Sequence, residues 1–408
     1  MSSILKVDTI QDASGNAIIS SDGSGNLTPN TFTGLTISGN LSVDGGTIKL
    51  DGNYPVGTSN VALGNSTLDA SMTGISNVAI GANALSSITS GERNVGVGES
   101  ALFALTSGSY NVAIGEKALD GTTTGGFNVG IGRLALRNNN ASNNTAVGYI
   151  ALQDNTTGSN LVAVGKGALG DNTTGIQSVA IGNDSLRLNT TGNYNIAIGQ
   201  EALENNIDGD NNVAIGRLAL TNTTSNNNTA VGHQALTANT TGTLSTAVGY
   251  QALSSAVNTY SNTALGYQAG LSTTAEGNTF LGASAGQSNT TGTNNVAIGR
   301  ETLFTNTSGA GTVAIGYNAL RSQTTGGDNV AIGRQALEDN VSGSYNTAVG
   351  REALEANTAS NNTAVGYQAL EDNTSGTLNT AVGSSAGLQT TTGGKNAYFG
   401  NSAGQNNT

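Results

Sequence analysis

The chain has 408 residues, among them 59 glycines, 2 prolines, no cysteine and no tryptophan. Aromatic residues make up 4%, so Val, Ile, Leu and Ala must supply any core, and the lack of cysteine excludes a disulfide framework. The formal charge of −12 and a pI near 4.4 come with scattered arginines and no basic stripe, which excludes a nucleic-acid backbone as partner.

The first 58 residues carry no repeat and hold both prolines, Pro29 and Pro55. The opening, MSSILKVDTIQD, has an acidic residue at Asp8 and no apolar stretch long enough for a signal peptide. No run of about 18 apolar residues occurs, so no helical membrane span is expected. The expectation is a chain made in the cytoplasm, with no export signal and no membrane insertion.

From Asn60 onward the motif N-V-A-I-G-x-x-A-L, or a close variant, returns twenty-one times. Its glycine runs from Gly64 to Gly400 in sixteen steps of 17 residues and four of 16. Glycine has no every-third spacing, which excludes a collagen helix. A period so short predicts a solenoid, in which one repeat is one coil that cannot bury its apolar face alone. The fold class expected is all-β: a parallel β-roll or β-solenoid of about 21 coils with 16–17-residue repeats over residues 59–404.

The stretch Tyr110 to Gly126 is a typical coil. Val112 and Ile114 alternate with Ala113, the period-two signal of a short strand, and the β-branched pair is expected to face the core. Ala118 and Leu119 are expected in a second short strand or extended arm that closes the core from the other side. A turn rich in Asn, Thr, Ser and Gly leads to the next coil. The shorter steps, into Gly148, Gly232, Gly282 and Gly366, should lose their residue from the turn, since a slip within the strand would reverse its faces.

Two columns stand out when the coils are aligned on the glycine. Asn fills the position four before it in seventeen coils, which predicts a ladder of side-chain amides. Ala or Gly fills the position two before it in nineteen, with Phe280 and Tyr398 as exceptions. Small side chains admit another backbone, so this column predicts contact between chains and hence an oligomer, with a trimer as the geometric expectation.

The N-V-A-I-G-x-x-A repeat resembles the head repeats of trimeric autotransporter adhesins. That resemblance implies a left-handed parallel β-roll and a homotrimer. The heptad stalk and C-terminal membrane-barrel strands of that family have no counterpart in this sequence. The opening S-I-L-K-V-D-T-I-Q-D and the repeat N-T-A-V-G-Y-Q-A-L, at Asn362 to Leu370, resemble marine and cyanobacterial phage tail fibres instead. This implies attachment of the fibre to the virion through residues 1–58.

Residues for chemistry are sparse. The lone His233 occupies the variable slot after the glycine and is expected to be a solvated surface residue. With no cysteine, a zinc site would need mainly carboxylates, and none cluster at ligand spacing along the chain. The acidic pairs Glu338-Asp339 and Glu371-Asp372 would lie in nearby coils, but a sugar-cleaving site needs a cleft with aromatic platforms. The Gly125-Gly126 stretch lacks the Lys-Ser/Thr of a phosphate loop. The expectation is no catalytic, cofactor-binding or metal-binding residue, no cofactor and no enzymatic activity.

The expected protein is a tail fibre of a virion, assembled in the host cytoplasm. Residues 1–58 would bind the tail or an adaptor, residues 59–404 would form the rod, and residues 405–408 would be an uncapped or truncated end. Its partners would be further copies of itself and a host cell-surface receptor, glycan or protein. A bacterial autotransporter-like adhesin and a polysaccharide-cleaving tail spike are the alternatives.

Overall fold

The structure is a computed structural model, and the residues described are the strands at 9–11, 17–21 and 27–29 together with residues 59–68 and 72–407. Most of the expected attachment segment lies outside the described residues. The chain divides into two compact units between Leu50 and Asp51. In the first, β1 (Thr9–Gln11), β2 (Ala17–Ser21) and β3 (Leu27–Pro29) form an antiparallel sheet in that order. Pro29 lies in an edge strand, opposite Ile19, where a missing N–H interrupts no inner ladder.

The second unit is a parallel β-solenoid. Twenty-one three-residue strands, β4 (Val61–Leu63) to β24 (Ala397–Phe399), follow one another, each paired in parallel with the next. No helix occurs among the described residues. One strand, β7 (Val112–Ile114), pairs residue for residue with Val95–Val97 and Val129–Ile131. The shortened steps keep this register, with Thr145 opposite Val129 and Thr363 opposite Thr347. The missing residue is lost from the turn, as expected. The Asn111 amide reaches a carbonyl fourteen residues on at Gly125, and the Asn128 amide one only thirteen residues on at Ala141.

Backbone donors in one coil point alternately to the coils on either side. Gly115 and Lys117 donate back to the carbonyls of Val97 and Glu99 at 2.8 and 2.9 Å; Leu119 and Gly121 donate forward to Ala135 and Arg137 at 3.0 and 2.8 Å. Buried backbone groups are thereby satisfied without long strands. The alternation needs left-handed backbone at Lys117 (φ 56°) and Leu119 (φ 54°), and φ 133° at Gly115. A Cβ on Gly115 would also lie 2.7 Å from the Gly132 carbonyl carbon of the next coil, so only glycine fits. These φ values curl the segment after the glycine into consecutive turns, which replaces the expected second strand or extended arm.

The two faces of the strand are reversed relative to expectation. Val112 and Ile114 point outward, with Ile114 41% exposed, whereas Ala113, Ala118 and Leu119 are fully buried. The coil is thin, and the leucine of the turn segment occupies its interior. Opposite that leucine only a methyl fits: a Cβ added to Gly130 would sit 3.2 Å from Leu119 Cδ1. The small column lines the inside of each coil and is not a surface for contact between chains.

Phe280 follows the same volume rule. It is buried in the small column, and the leucines of its own coil and the preceding one are replaced by Gly286 and Gly270. A Cβ on Gly270 would approach the Phe280 ring to 2.7 Å. Tyr398 stands in the same relation to Gly387 and Gly404. Volume is conserved across three positions in two coils.

The expected asparagine ladder is present and buried. The Asn111 N–H donates to Asn94 Oδ1 at 2.9 Å, while its Nδ2 donates to the same oxygen at 3.1 Å. A second buried column, three residues after the leucine, was not anticipated. Asn172, Asn189 and Asn206 each donate Nδ2 to the Oδ1 one coil back, at 2.7, 2.9 and 2.9 Å.

Candidate interaction surface

The outward strand residues form the most extended feature of the rod. All twenty-one positions just before the coil glycine are Val, Ile, Leu or Phe. The column two residues earlier is Val, Ile, Thr or Ala throughout, so the face carries no charge. In-register stacking makes these columns continuous over twenty steps of about 4.8 Å, roughly 96 Å in all. Leu63, Ile131, Ile215, Leu265 and Phe399 are all exposed on it. Apolar strips of this extent mark contact surfaces on soluble proteins.

The residue after the glycine forms a second column, which from Arg217 to Tyr367 is made mostly of rings and cations. Arg217 donates from Nη1 to His233 Nε2 at 3.3 Å, and His233 stacks on Tyr250 with centroids 5.5 Å apart. Tyr250 stacks in turn on Tyr267 at 5.4 Å. Guanidinium groups cover Tyr149, Tyr317 and Tyr367 from Arg133, Arg300 and Arg351. His233 is therefore half-buried in a stack, which corrects its expected place as a solvated residue. Alignment of the coils on the glycine would have revealed this, since rings spaced at one coil must lie face to face.

Carboxylates also gather, contrary to expectation. Glu338, Glu355 and Glu371 share the column after the leucine, and Glu352, Glu355 and Glu371 bring carboxylate oxygens within 4.8 Å of one another. Spacing along the chain hid this cluster, because Glu371 joins Glu352 and Glu355 from the next coil. Burial raises Glu352, but hydrogen bonds from Arg351 and Arg334 outweigh that and hold it below the ordinary carboxylate range. Burial pushes Glu355 up to about 7, reinforced by Glu352, Glu371, Glu338 and Asp339. Both guanidiniums already neutralise Glu352, with Arg334 Nη2 2.7 Å and Arg351 Nη2 2.8 Å from Oε1.

A groove of about 270 Å³ opens on the turn side near the shortened step into Gly282, lined by Thr259, Thr274, Ala275 and Glu276 among others. Among the described residues no helix is long and apolar enough to cross a membrane. Comparison of the chain with protein-family models, with curated proteins and with solved structures gives no match in any of the three. The functional reading rests on architecture and surface chemistry.

Proposed function

We propose that the chain is the tail fibre of a phage virion, acting by adhesion and not by catalysis. Residues 1–58 attach it to the tail or an adaptor, and the solenoid projects towards a receptor on the host cell. Three copies associate into a left-handed homotrimeric β-roll, in keeping with the resemblance of the repeat to adhesin heads and of the opening to tail fibres.

The uncharged outward strip carries this reading. A surface that repeats every coil is best complemented by another with the same period, and a second copy of the chain supplies it rung for rung. Three chains that turn their strips towards a common axis leave none of them at an edge. The small column, now assigned to the coil interior, no longer bears on association; the Val/Ile columns take its place. Several such fibres on one particle would combine weak receptor contacts into firm attachment.

Two measurements test the proposal. Sedimentation of the folded protein should give three times the chain mass of 40.5 kDa. Antibody labelling of purified particles should place the chain at the tail. A stable folded monomer at micromolar concentration, or label confined to a bacterial envelope, would overturn it.

A further inference from the structure

Between Arg217 and Tyr367 every position after the coil glycine is a ring or a cation except one. Arg217, His233, Tyr250 and Tyr267 stand on one another, with neighbouring ring planes 9° and 8° apart. The next position is Ala283, which is exposed. After it comes Arg300, whose guanidinium carbon lies 5.4 Å from the Tyr317 centroid. Rungs of a parallel stack repeat at about 4.8 Å, so Tyr267 and Arg300 are roughly 10 Å apart with a single methyl between them. A ring held midway would sit about 5 Å from either wall. That is the separation the column already uses between its own rings, 5.4 and 5.5 Å.

We propose that this slot binds one neutral pyranose ring of a surface polysaccharide. Tyr267 is 53% exposed and presents the ring face that Tyr250 does not cover. The C–H face of a sugar ring is apolar and matches such a wall, while its hydroxyls need partners at the rim. The rim supplies them. Gln268, Ser284 and Glu301 follow the three slot residues in sequence, and all are polar and half-buried. Arg300 donates from Nε and Nη2 to Glu301 at 3.1 and 2.9 Å, so its charge is already balanced and a neutral sugar is favoured over an acidic one. Gln268 already bonds Gln251 and Gln287, and Glu301 already bonds Arg300 and Arg321, so a sugar hydroxyl would meet the Ser284 hydroxyl and the remaining lone pairs and N–H of those groups, which an aromatic side chain could not use.

This assignment deepens the reading of the chain as an adhesive fibre, yet it stands on the geometry of three coils and does not depend on the number of chains. Titration of the full-length protein with cellohexaose, maltohexaose and a mannose hexamer, followed by calorimetry, tests it. At least one probe should bind with a dissociation constant on the order of millimolar. Ala283→Tyr places in the slot the residue that the two preceding coils carry, so it should fold normally and weaken that binding about tenfold or more. Tyr267→Ala should weaken it as well. Unchanged binding by Ala283→Tyr, or no saturable binding of any probe to the unaltered protein, would overturn the proposal. Binding of N-acetylphenylalaninamide in place of the sugars would overturn the ligand class. Sedimentation of the same samples reports the oligomer separately, so failure of the slot and failure of the fibre reading are distinguishable.

Discussion

Ala197 is fully buried and its neighbour Ile198 is half exposed, so a carboxylate at the two positions meets opposite surroundings. Ala197→Asp would bury an unpaired charge against a leucine, at a cost of several kcal/mol, and should unfold the coils around it. Ile198→Asp should leave the circular dichroism spectrum and melting temperature of the rod nearly unchanged but lower its sedimenting mass, because the charge enters the outward strip. Equal loss of structure in both variants would show that the strip is not outside. The alternation was legible in the sequence; which half of it faced inward was not. Hydrophobicity alone sends the larger β-branched pair inside, but the leucine of the turn segment already fills that volume. The decisive signal was the joint change at Phe280, Gly270 and Gly286. An aromatic in the small column coincides with two lost leucines, which marks both columns as lining one space.

A single coil is specified by one recurring motif, apolar and polar positions together. Period, register and shortened turns were all legible, because each follows from the recurrence of one motif. The left-handed residues at Lys117 and Leu119 were not, since neither type favours that backbone and only the inter-coil hydrogen bonds impose it. The acidic cluster was hidden for a related reason: it is completed only when Glu371 of the next coil meets Glu352 and Glu355. It also gives the rod a pH dependence. Glu355 is pushed up from 4.5 to about 7, so the folded chain holds that proton more tightly than the unfolded chain does. Stability should therefore fall as pH rises from about 4.5 to about 7, with the full penalty present above that window. Melting should occur at a higher temperature at pH 5 than at pH 8. Glu355→Gln should raise the unfolding free energy at pH 8 by an amount on the order of 1–2 kcal/mol, once solvent screening of this half-exposed group is allowed for. A melting temperature that climbs between pH 5 and pH 8 would contradict this assignment.

Over the whole rod, stability is a sum of similar coils and similar contacts between them. Excision of residues 195–211, one full coil, should leave the protein folded and shorten it by about 4.8 Å, as measured by small-angle scattering. Excision of residues 278–294 is of equal length but removes Phe280 and Gly286 while leaving Gly270 facing an alanine. The space left there should cost on the order of 3–5 kcal/mol and lower the melting temperature well below that of the first deletion. If the two deletions melt alike, Phe280 does not fill the volume assigned to it. The number of chains in the particle was not legible, since the sequence shows which columns are apolar but not what meets them.

Identical rungs in constant register make the molecule a ruler. A gene built of near-identical segments gains or loses one whenever its copies recombine out of step, and each such event resets the reach of the rod by a single graduation without disturbing its cross-section. Lineages that share this protein should thus differ in how far it extends more readily than in what it is made of. Against that sliding scale, the Phe280 trio and the gap at Ala283 stand as fixed marks, and they lie within one coil of each other.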